Sequence, residues 1–391
     1  MIGRCGYGEK HQTVCPVDSA TDFSMWRYRS LFSLPPGRIS YPLHVGGTPL
    51  LRTPGMRREF AAPALWLKDE TSNPSGSNKD RATALVLESG RMRGVRTVTT
   101  ASTGNAALST AVGAAAMDMR AVLFVPSECS PYKLAAMRAL GADVFLVDDG
   151  YRAAVALSRQ VAKDHGWLDR NTGTNPLTLE GKKTVAFEIW EQLGFRIPQV
   201  VVAPVGDGAT LVGLAKGFRE LCAGGHASHV PRLIGVQAER CQPLVRQFHR
   251  EAPRPRDLEP SATVADGIAV IEPAVGVAAL REIAESRGDF VAVAEQGIRA
   301  AQLSVARSTG LLIEPAAAAA VAGFTVAMTT GSIDRMDETV VVVTGRGPIV
   351  DSDSTALPHC KDASAAGLCE HVAPAPTSLG IPSRNSGPYI G

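Results

Sequence analysis

The sequence has no long hydrophobic run and no excess of one charge. Its longest apolar stretch, residues 315–328, falls short of the roughly 18–20 residues of a membrane span. Forty Lys and Arg residues against 38 Asp and Glu give a net charge of +2, so a nucleic-acid-binding face is not expected. Residues 1–5 form no apolar signal core. We therefore expect a cytoplasmic protein that binds neither a membrane nor nucleic acid.

Paired cysteine motifs are also missing. The seven cysteines are scattered along the chain without a C-x-x-C pair, which excludes a disulfide framework and a zinc ribbon. One alternative is a metal site formed across the termini by Cys5, Cys15, Cys360 and Cys369, beside His359 and His371. Free thiols in loosely structured ends agree better with this spacing, and we expect no metal.

Short β-branched runs alternate with Ala- and Leu-rich amphipathic segments between about residues 42 and 347. The runs predict strands at 95–100, 121–125, 143–147, 199–203, 232–237 and 339–344. The segments between them predict helices at 82–93, 106–116, 131–140, 151–165 and 211–222. This alternation predicts an α/β fold with an open, twisted parallel sheet that helices cover on both faces.

One turn-rich loop places a lysine at the start of a helix. Lys79 follows the sequence Gly76-Ser77-Asn78 and lies in the first turn of the predicted helix at 82–93. The positive end of a helix dipole disfavours an ammonium group there. Lys79 should therefore bind an anion or act as a neutral amine, unless it is an ordinary surface lysine.

Three other loops join a predicted strand to chemistry-bearing residues. The first contains Ser102, Thr103, Gly104 and Asn105; the second runs from Gly206 to Thr210, and the third begins at Thr344. Ligands of open α/β sheets bind at such strand ends, and glycines let backbone N–H groups close around a phosphate. Each loop alone is weak evidence for a ligand site.

Together these loops carry a family resemblance. In order and spacing the chain resembles the tryptophan-synthase-β family of pyridoxal 5′-phosphate (PLP) enzymes and, within it, the threonine synthases. The resemblance covers about residues 26–347 and rests on segments at 25–29 (MWRYR), 46–50 (GGTPL), 67–70 (LKDE), 76–81 (GSNKDR), 101–105 (ASTGN), 175–176 (NP), 180–184 (EGKKT), 206–210 (GDGAT), 235–237 (GVQ), 314–316 (EPA) and 344–345 (TG).

The resemblance implies a role for each loop. Lys79 would carry PLP as a Schiff base and move protons on the substrate, and Asn105 would hydrogen-bond the 3′-oxygen of PLP. Thr344 would face the pyridine nitrogen. The substrate carboxylate would bind at Ser102, Thr103 and Gly104. The cofactor phosphate would bind the backbone amides of Gly206, Asp207, Gly208, Ala209 and Thr210.

A domain division also follows from the resemblance. Residues 41–89 and 191–347 would form a large PLP-binding lobe, and residues 90–190 a small mobile lobe. PLP would lie in the cleft between them. Residues 1–40 would be an N-terminal extension and residues 348–391 a Pro-rich tail. The family further implies a homodimer.

The chain departs from the threonine synthase pattern where the substrate phosphate would bind. Asn78 replaces an aromatic residue of the family, Thr178 replaces an arginine, and Asp207 replaces an asparagine. The resemblance places that arginine and that asparagine at the substrate phosphate. Losing a guanidinium removes an anion clamp, and a carboxylate repels phosphate. Arg346 could compensate. We expect elimination or replacement at the β or γ carbon of an amino acid, on a substrate other than O-phosphohomoserine; a true threonine synthase is the alternative.

Three further hypotheses remain. Serine/threonine dehydratase chemistry is less favoured, because segments 76–81, 180–184 and 314–318 look more like those of a synthase. A binding module without catalysis is less favoured as well, because such a module would not need to keep Lys79 and Asn105. A dinucleotide oxidoreductase lacks the acidic residue expected about 20 residues after its glycine loop.

Overall fold

A computed structural model of the 391-residue chain describes residues 17, 18, 21–127, 129–252 and 263–349. The described residues belong to one compact unit. The predicted tail lies, except for residues 348 and 349, outside the described residues. The alternative metal site at Cys5, Cys15, Cys360 and Cys369 lies wholly outside them.

The described chain alternates strands and helices. The strands are β1 (Leu50–Leu51), β2 (Leu65–Asp69), β3 (Thr97–Ala101), β4 (Arg120–Pro126), β5 (Asp143–Val147), β6 (Leu168–Asp169), β7 (Val200–Pro204), β8 (Arg232–Ala238), β9 (Asp289–Val293) and β10 (Thr339–Val343). The helices are α1 (Pro54–Glu59), α2 (Lys79–Met92), α3 (Asn105–Ala116), α4 (Pro131–Ala139), α5 (Gly150–His165), α6 (Leu177–Gln192), α7 (Ala209–Ala223), α8 (Pro243–His249), α9 (Gly276–Glu285), α10 (Glu295–Thr309) and α11 (Pro315–Thr330). Short 3-10 helices include Met25–Leu31, Glu70–Ser72 and Asp266–Ile268.

Two open sheets organise these elements. The larger has the strand order β1-β2-β10-β7-β8-β9, and the smaller has the order β5-β4-β3-β6. Every pairing is parallel except that of β1 with β2. The predicted α/β fold with open parallel sheets is confirmed. The smaller sheet lies within residues 90–190, and the strands of the larger sheet lie on either side of that segment.

The central strands are apolar because helices cover both of their faces. All five residues of β7 and of β10 are buried. The apolar run noted in the sequence forms α11, whose alanines pack against the larger sheet. A Cβ at Gly323 would lie 2.3 Å from Val236 Cγ2, so only glycine lets α11 come this near. No helix among the described residues has both the length and the apolar character of a membrane span.

Helix α6 is wedged between α2 and α7. A Cβ at Gly181 of α6 would lie 2.2 Å from the carbonyl oxygen of Arg81 in α2. On the other side, a Cβ at Gly217 of α7 would lie 2.4 Å from the carbonyl oxygen of Lys183. These close approaches fix α6 against α2, the helix that begins at Lys79.

A buried ion network ties the same helices to β2. Arg81 donates to Glu70 at 2.6 Å and to Glu188 at 2.6 Å, and Lys68 donates to Glu188 at 2.7 Å. Burial opposes ionisation of Glu188, but Arg81 and Lys68 outweigh it, so the pKa of Glu188 is lowered. Since each buried charge has an opposite partner, breaking one pair would leave an uncompensated ion.

Part of the N-terminal region belongs to the core. In the 3-10 helix Met25–Leu31, the side chains of Met25, Trp26 and Tyr28 are buried, and Tyr28 donates to Glu191 at 2.7 Å. This segment therefore packs against the helices that flank both sheets.

Candidate active site

A cavity of about 560 Å³ lies where the carboxyl ends of β3, β7 and β10 meet the first turns of α2, α3 and α7. Its volume is that of a typical cofactor or substrate site. Every predicted site residue except Thr178 lines it: Lys79, Ser102, Thr103, Gly104, Asn105, Gly206, Asp207, Gly208, Ala209, Thr210 and Thr344. Residues separated by more than 260 positions in the chain thus share one site.

Lys79 is the first residue of α2, as predicted from the turn-rich loop before it. Its Nζ donates to Asn78 Oδ1 at 2.9 Å. Burial lowers the pKa of Lys79, and the carboxylate of Glu314 opposes that shift. A lysine with a lowered pKa is more often a neutral amine at neutral pH, which is the form that attacks a carbonyl.

The glycine loop before α7 forms a cradle of backbone N–H groups. Gly208 caps α7 with φ of +90°, a conformation that residues with a side chain rarely adopt. A Cβ there would also lie 3.1 Å from Ala279 Cβ. The N–H groups of the first turn of α7 have no partner within the helix, so this end can bind a phosphate. Asn78 Nδ2 donates to Thr210 Oγ1 at 3.0 Å and connects the cradle to Lys79.

The N-terminus of α3 forms another side of the cavity. Ser102 Oγ accepts a hydrogen bond from the Gly104 N–H at 3.1 Å, and Gly104 caps the helix. The next residue, Asn105, donates through Nδ2 to both carboxylate oxygens of Glu314, at 2.8 and 2.7 Å. Burial raises the pKa of Glu314, while Lys133 and the Asn105 bond lower it. Glu314 thereby holds the Asn105 amide in one orientation.

Thr344 directly follows β10 and is only 5% exposed. Its carbonyl oxygen accepts the Asn78 N–H at 2.9 Å, which joins the strand end to the lysine loop. The cavity therefore combines a low-pKa amine, a phosphate cradle, an oriented amide and a buried hydroxyl. This donor set fits PLP, which needs an amine for its aldehyde and N–H donors for its phosphate.

Several charged residues of the cavity were not predicted from the sequence. They are Lys133 of α4, Arg170 after β6, Lys182 of α6, Asp266 and Glu314. Lys133 lies 3.5 Å from Asp266 Oδ2. Arg170 donates to Thr83 Oγ1 at 3.1 Å and to the Lys79 carbonyl oxygen at 3.3 Å, and burial lowers its pKa to about 10. Of these residues, Lys182 and Glu314 lie in segments that carry the family resemblance, whereas Lys133, Arg170 and Asp266 have no local motif.

Thr178, a predicted substrate residue, lies outside the cavity lining, and so does Arg346, which could compensate for the missing arginine. Thr178 is buried in the first turn of α6, and its hydroxyl donates to the Asn175 carbonyl oxygen at 2.7 Å. Arg346 is exposed, and its backbone N–H donates to the Gly76 carbonyl oxygen at 2.8 Å. Neither residue lines the cavity with Asp207.

No metal cluster accompanies these groups in the part of the chain that the structure describes. No group of three or more His, Cys, Asp or Glu residues there is arranged to hold a metal ion.

Comparison with known proteins places this site in a family. The pyridoxal-phosphate dependent enzyme family matches residues 41–345. Threonine synthase from Methanosarcina acetivorans is 34% identical over 355 residues, 90% of this chain and 85% of the relative. Threonine synthase from Methanocaldococcus jannaschii is 33% identical over 83% of this chain and 80% of its own length.

Solved structures agree on the fold. L-serine ammonia-lyase from Rhizomucor miehei superposes with a TM-score of 0.66 at 24% identity, over 77% of this chain and 94% of that one. Maize serine racemase gives a TM-score of 0.65 at 17% identity, over 78% of this chain and 89% of its own. The chain belongs to the pyridoxal-phosphate dependent enzyme family and is a PLP-dependent lyase of the threonine synthase type.

Proposed function

We propose that this enzyme eliminates phosphate from a phosphorylated hydroxy amino acid, with O-phosphohomoserine as the first candidate, and adds water to form threonine. One observation carries the proposal: Lys133, Arg170 and Lys182 line the same cavity as Lys79. Although the guanidinium expected at position 178 is missing, the cavity keeps cations that can bind an anionic leaving group. The relatives named threonine synthase support the same reaction.

Bound PLP supplies an electron sink that makes the protons at Cα and Cβ of the substrate acidic. Lys79 would hold the cofactor and would move those protons, and its lowered pKa suits that task. The amides of Gly206, Asp207, Gly208, Ala209 and Thr210 hold the cofactor phosphate. The Thr344 hydroxyl would face the pyridine nitrogen of bound PLP and would leave it largely neutral, which would favour elimination and replacement over transamination.

The substrate carboxylate binds at the N-terminus of α3. The Thr103 N–H and the N–H groups of the first turn of α3 can donate to the carboxylate, while the Gly104 N–H donates to Ser102 Oγ. On the other side, Asn105 is held by Glu314 so that its amide oxygen is free to meet the cofactor. These contacts would hold the amino acid by its carboxylate in the cavity that Lys133, Arg170 and Lys182 also line.

A second candidate is an amino acid with a leaving group other than phosphate. It is favoured by Asp207, whose carboxylate lines the cavity and would repel a phosphate. Burial raises the pKa of Asp207, while Lys182 and Lys79 lower it. The net charge near the leaving group therefore decides between the two candidates.

Phosphate release separates the candidates. The holoenzyme is incubated with O-phosphohomoserine, O-phosphoserine or threonine, and inorganic phosphate, ammonia and oxo acids are measured. Phosphate and threonine from O-phosphohomoserine support the proposal. Ammonia and 2-oxobutyrate from threonine would indicate a dehydratase, and no turnover of any phosphate ester would favour the second candidate.

We also propose a cytoplasmic homodimer. The free thiols of Cys129 and Cys222 agree with a reducing compartment, and the family resemblance implies the dimer. Light scattering on the purified holoenzyme tests the oligomeric state.

A further inference from the structure

We propose that Lys182 replaces the missing arginine of position 178 and is the cation that binds the departing phosphate of the substrate. The inference rests on the proposed function, since it assigns the leaving-group site of that reaction. The cation that binds the phosphate would then lie four residues after position 178, which is about one turn further along α6.

The register of α6 supports this exchange. Residues four apart lie on the same side of a helix, so Thr178 and Lys182 share one face. The Thr178 hydroxyl donates to the Asn175 carbonyl oxygen, and Thr178 does not line the cavity. Lys182 does line it, although only 3% of its surface is exposed. Among positions 178 and 182, the longer side chain is therefore the one that reaches the site.

The packing of α6 against α7 directs this side chain. A Cβ at Gly213 of α7 would lie 2.8 Å from Lys182 Cβ, so the glycine leaves room for the stem of the lysine between the helices. The neighbouring Lys183 behaves differently: its Nζ lies 2.6 Å from Glu180 and 2.8 Å from Glu220. The two adjacent lysines therefore differ: Lys183 forms ion pairs that join α6 to α7, whereas Lys182 lines the cavity.

Lys182 lacks a close partner of its own. It forms no hydrogen bond and no ion pair with any residue that the structure describes. Burial lowers its pKa, and so do Lys79 and Arg170, while the carboxylate of Asp207 opposes them. In the unliganded site this lowered pKa favours the neutral amine, as for Lys79, and a bound anion would raise the pKa again and so hold the charged form. Arg170 is bonded to Thr83 and to the Lys79 carbonyl, and Lys133 lies 3.5 Å from Asp266, so Lys182 is the one of these three cations without a bonded partner among the described residues.

The test compares four holoenzyme variants. Lys182→Gln removes the charge, Lys182→Arg keeps it, and Thr178→Arg combined with Lys182→Gln restores a cation one turn earlier. Lys163→Gln removes an exposed lysine of α5 outside the cavity and serves as the matched control. KM and kcat are measured with O-phosphohomoserine, and binding of inorganic phosphate to each variant is measured by calorimetry. The visible absorption of PLP confirms that each variant carries the cofactor.

We expect Lys182→Gln to raise KM and to weaken phosphate binding roughly 10- to 100-fold, as for the loss of a hydrogen bond to a charged group. Lys182→Arg should stay within a few-fold of the wild type, and the double variant should regain at least about tenfold. Unchanged KM and phosphate affinity in Lys182→Gln would overturn the inference. An equal loss in Lys163→Gln would overturn it as well.

A stability measurement separates binding from folding. Lys182→Met keeps the apolar stem and removes a buried amine that has no bonded partner among the described residues, so it should unfold at a higher temperature than the wild type without phosphate. Added phosphate should stabilise the wild type alone. If the wild type releases no phosphate from the ester, the proposed function fails. The inference then stands or falls on inorganic phosphate, and a wild type that does not bind it overturns the inference.

Discussion

The contact between α6 and α2 can be tested by the substitution Gly181→Ala. The added Cβ would lie 2.2 Å from the Arg81 carbonyl oxygen, 2.6 Å from its carbon and 2.9 Å from the Ala82 nitrogen. An ordinary carbon–oxygen contact is about 3.3 Å. Because all three neighbours are backbone atoms, no side chain can move aside. The two helices must therefore separate by about 1 Å.

The size of the effect follows from that separation. Overpacking a core costs about 1–3 kcal/mol and sometimes more, and a backbone clash lies at the upper end. We expect a loss of about 3 kcal/mol or more, which lowers Tm by about 5 °C or more in a unit of this size. Since α2 begins at Lys79 and α6 carries Lys182, a 1 Å displacement should also lower kcat/KM about 100-fold.

Urea denaturation of the holoenzyme and steady-state kinetics measure the two effects. Gly297→Ala of α10 is the matched control, because its nearest new neighbour is Ala322 Cβ at 3.9 Å. It should leave activity unchanged and stability equal or higher by up to about 1 kcal/mol. Wild-type stability and activity in Gly181→Ala would refute the argument that glycine sets the position of α6.

Three further predictions concern the cavity. Asp207→Asn removes a carboxylate from the leaving-group side, so it should lower KM for O-phosphohomoserine about tenfold in steady-state assays. Asn78→Ala removes the bonds to Lys79 and Thr210 and should weaken PLP binding about tenfold in equilibrium dialysis. Burial raises the pKa of Glu314 above 4.5, so its ionisation reduces stability as pH rises above that value. Glu314→Gln should therefore gain stability relative to the wild type as the pH is raised from about 4 to about 8, measured by urea midpoints.

Each of these has a clear contrary result. A higher KM in Asp207→Asn would mean that this carboxylate aids the substrate, as a nonphosphate leaving group requires. Unchanged PLP affinity in Asn78→Ala would show that the link between Lys79 and the cradle is dispensable. Parallel pH profiles for Glu314→Gln and the wild type would show that Glu314 does not titrate in this range.

Much of the fold follows from local patterns in the sequence. The predicted strands at 143–147 and 339–344 correspond to β5 and β10, and the predicted helix at 151–165 corresponds to α5. The sequence pattern does not predict α6. That helix is buried between α2 and α7, and a helix buried nearly all round has no polar stripe to reveal its period.

The site is predictable where a loop carries a motif and not where a long side chain reaches in from elsewhere. The sequence makes both Lys79 and Gly208 recognisable: Lys79 is a cation at the start of a helix, and Gly208 belongs to a glycine loop between a strand and a helix. Arg170, Lys133 and Lys182 enter the cavity because of helix packing, which no single segment encodes. The sequence therefore predicts a site without a phosphate clamp, because Thr178 replaces an arginine and Asp207 an asparagine. The structure instead brings three cationic side chains into the cavity.

The central claim is that Lys79 carries PLP, and borohydride reduction followed by peptide mass spectrometry tests it most directly. Reduction fixes the cofactor to the lysine that holds it. The peptide containing Lys79 should carry the pyridoxyl group, and Lys79→Ala should carry none. A label on Lys182 or Lys133, or an unlabelled wild-type holoenzyme, would contradict the account.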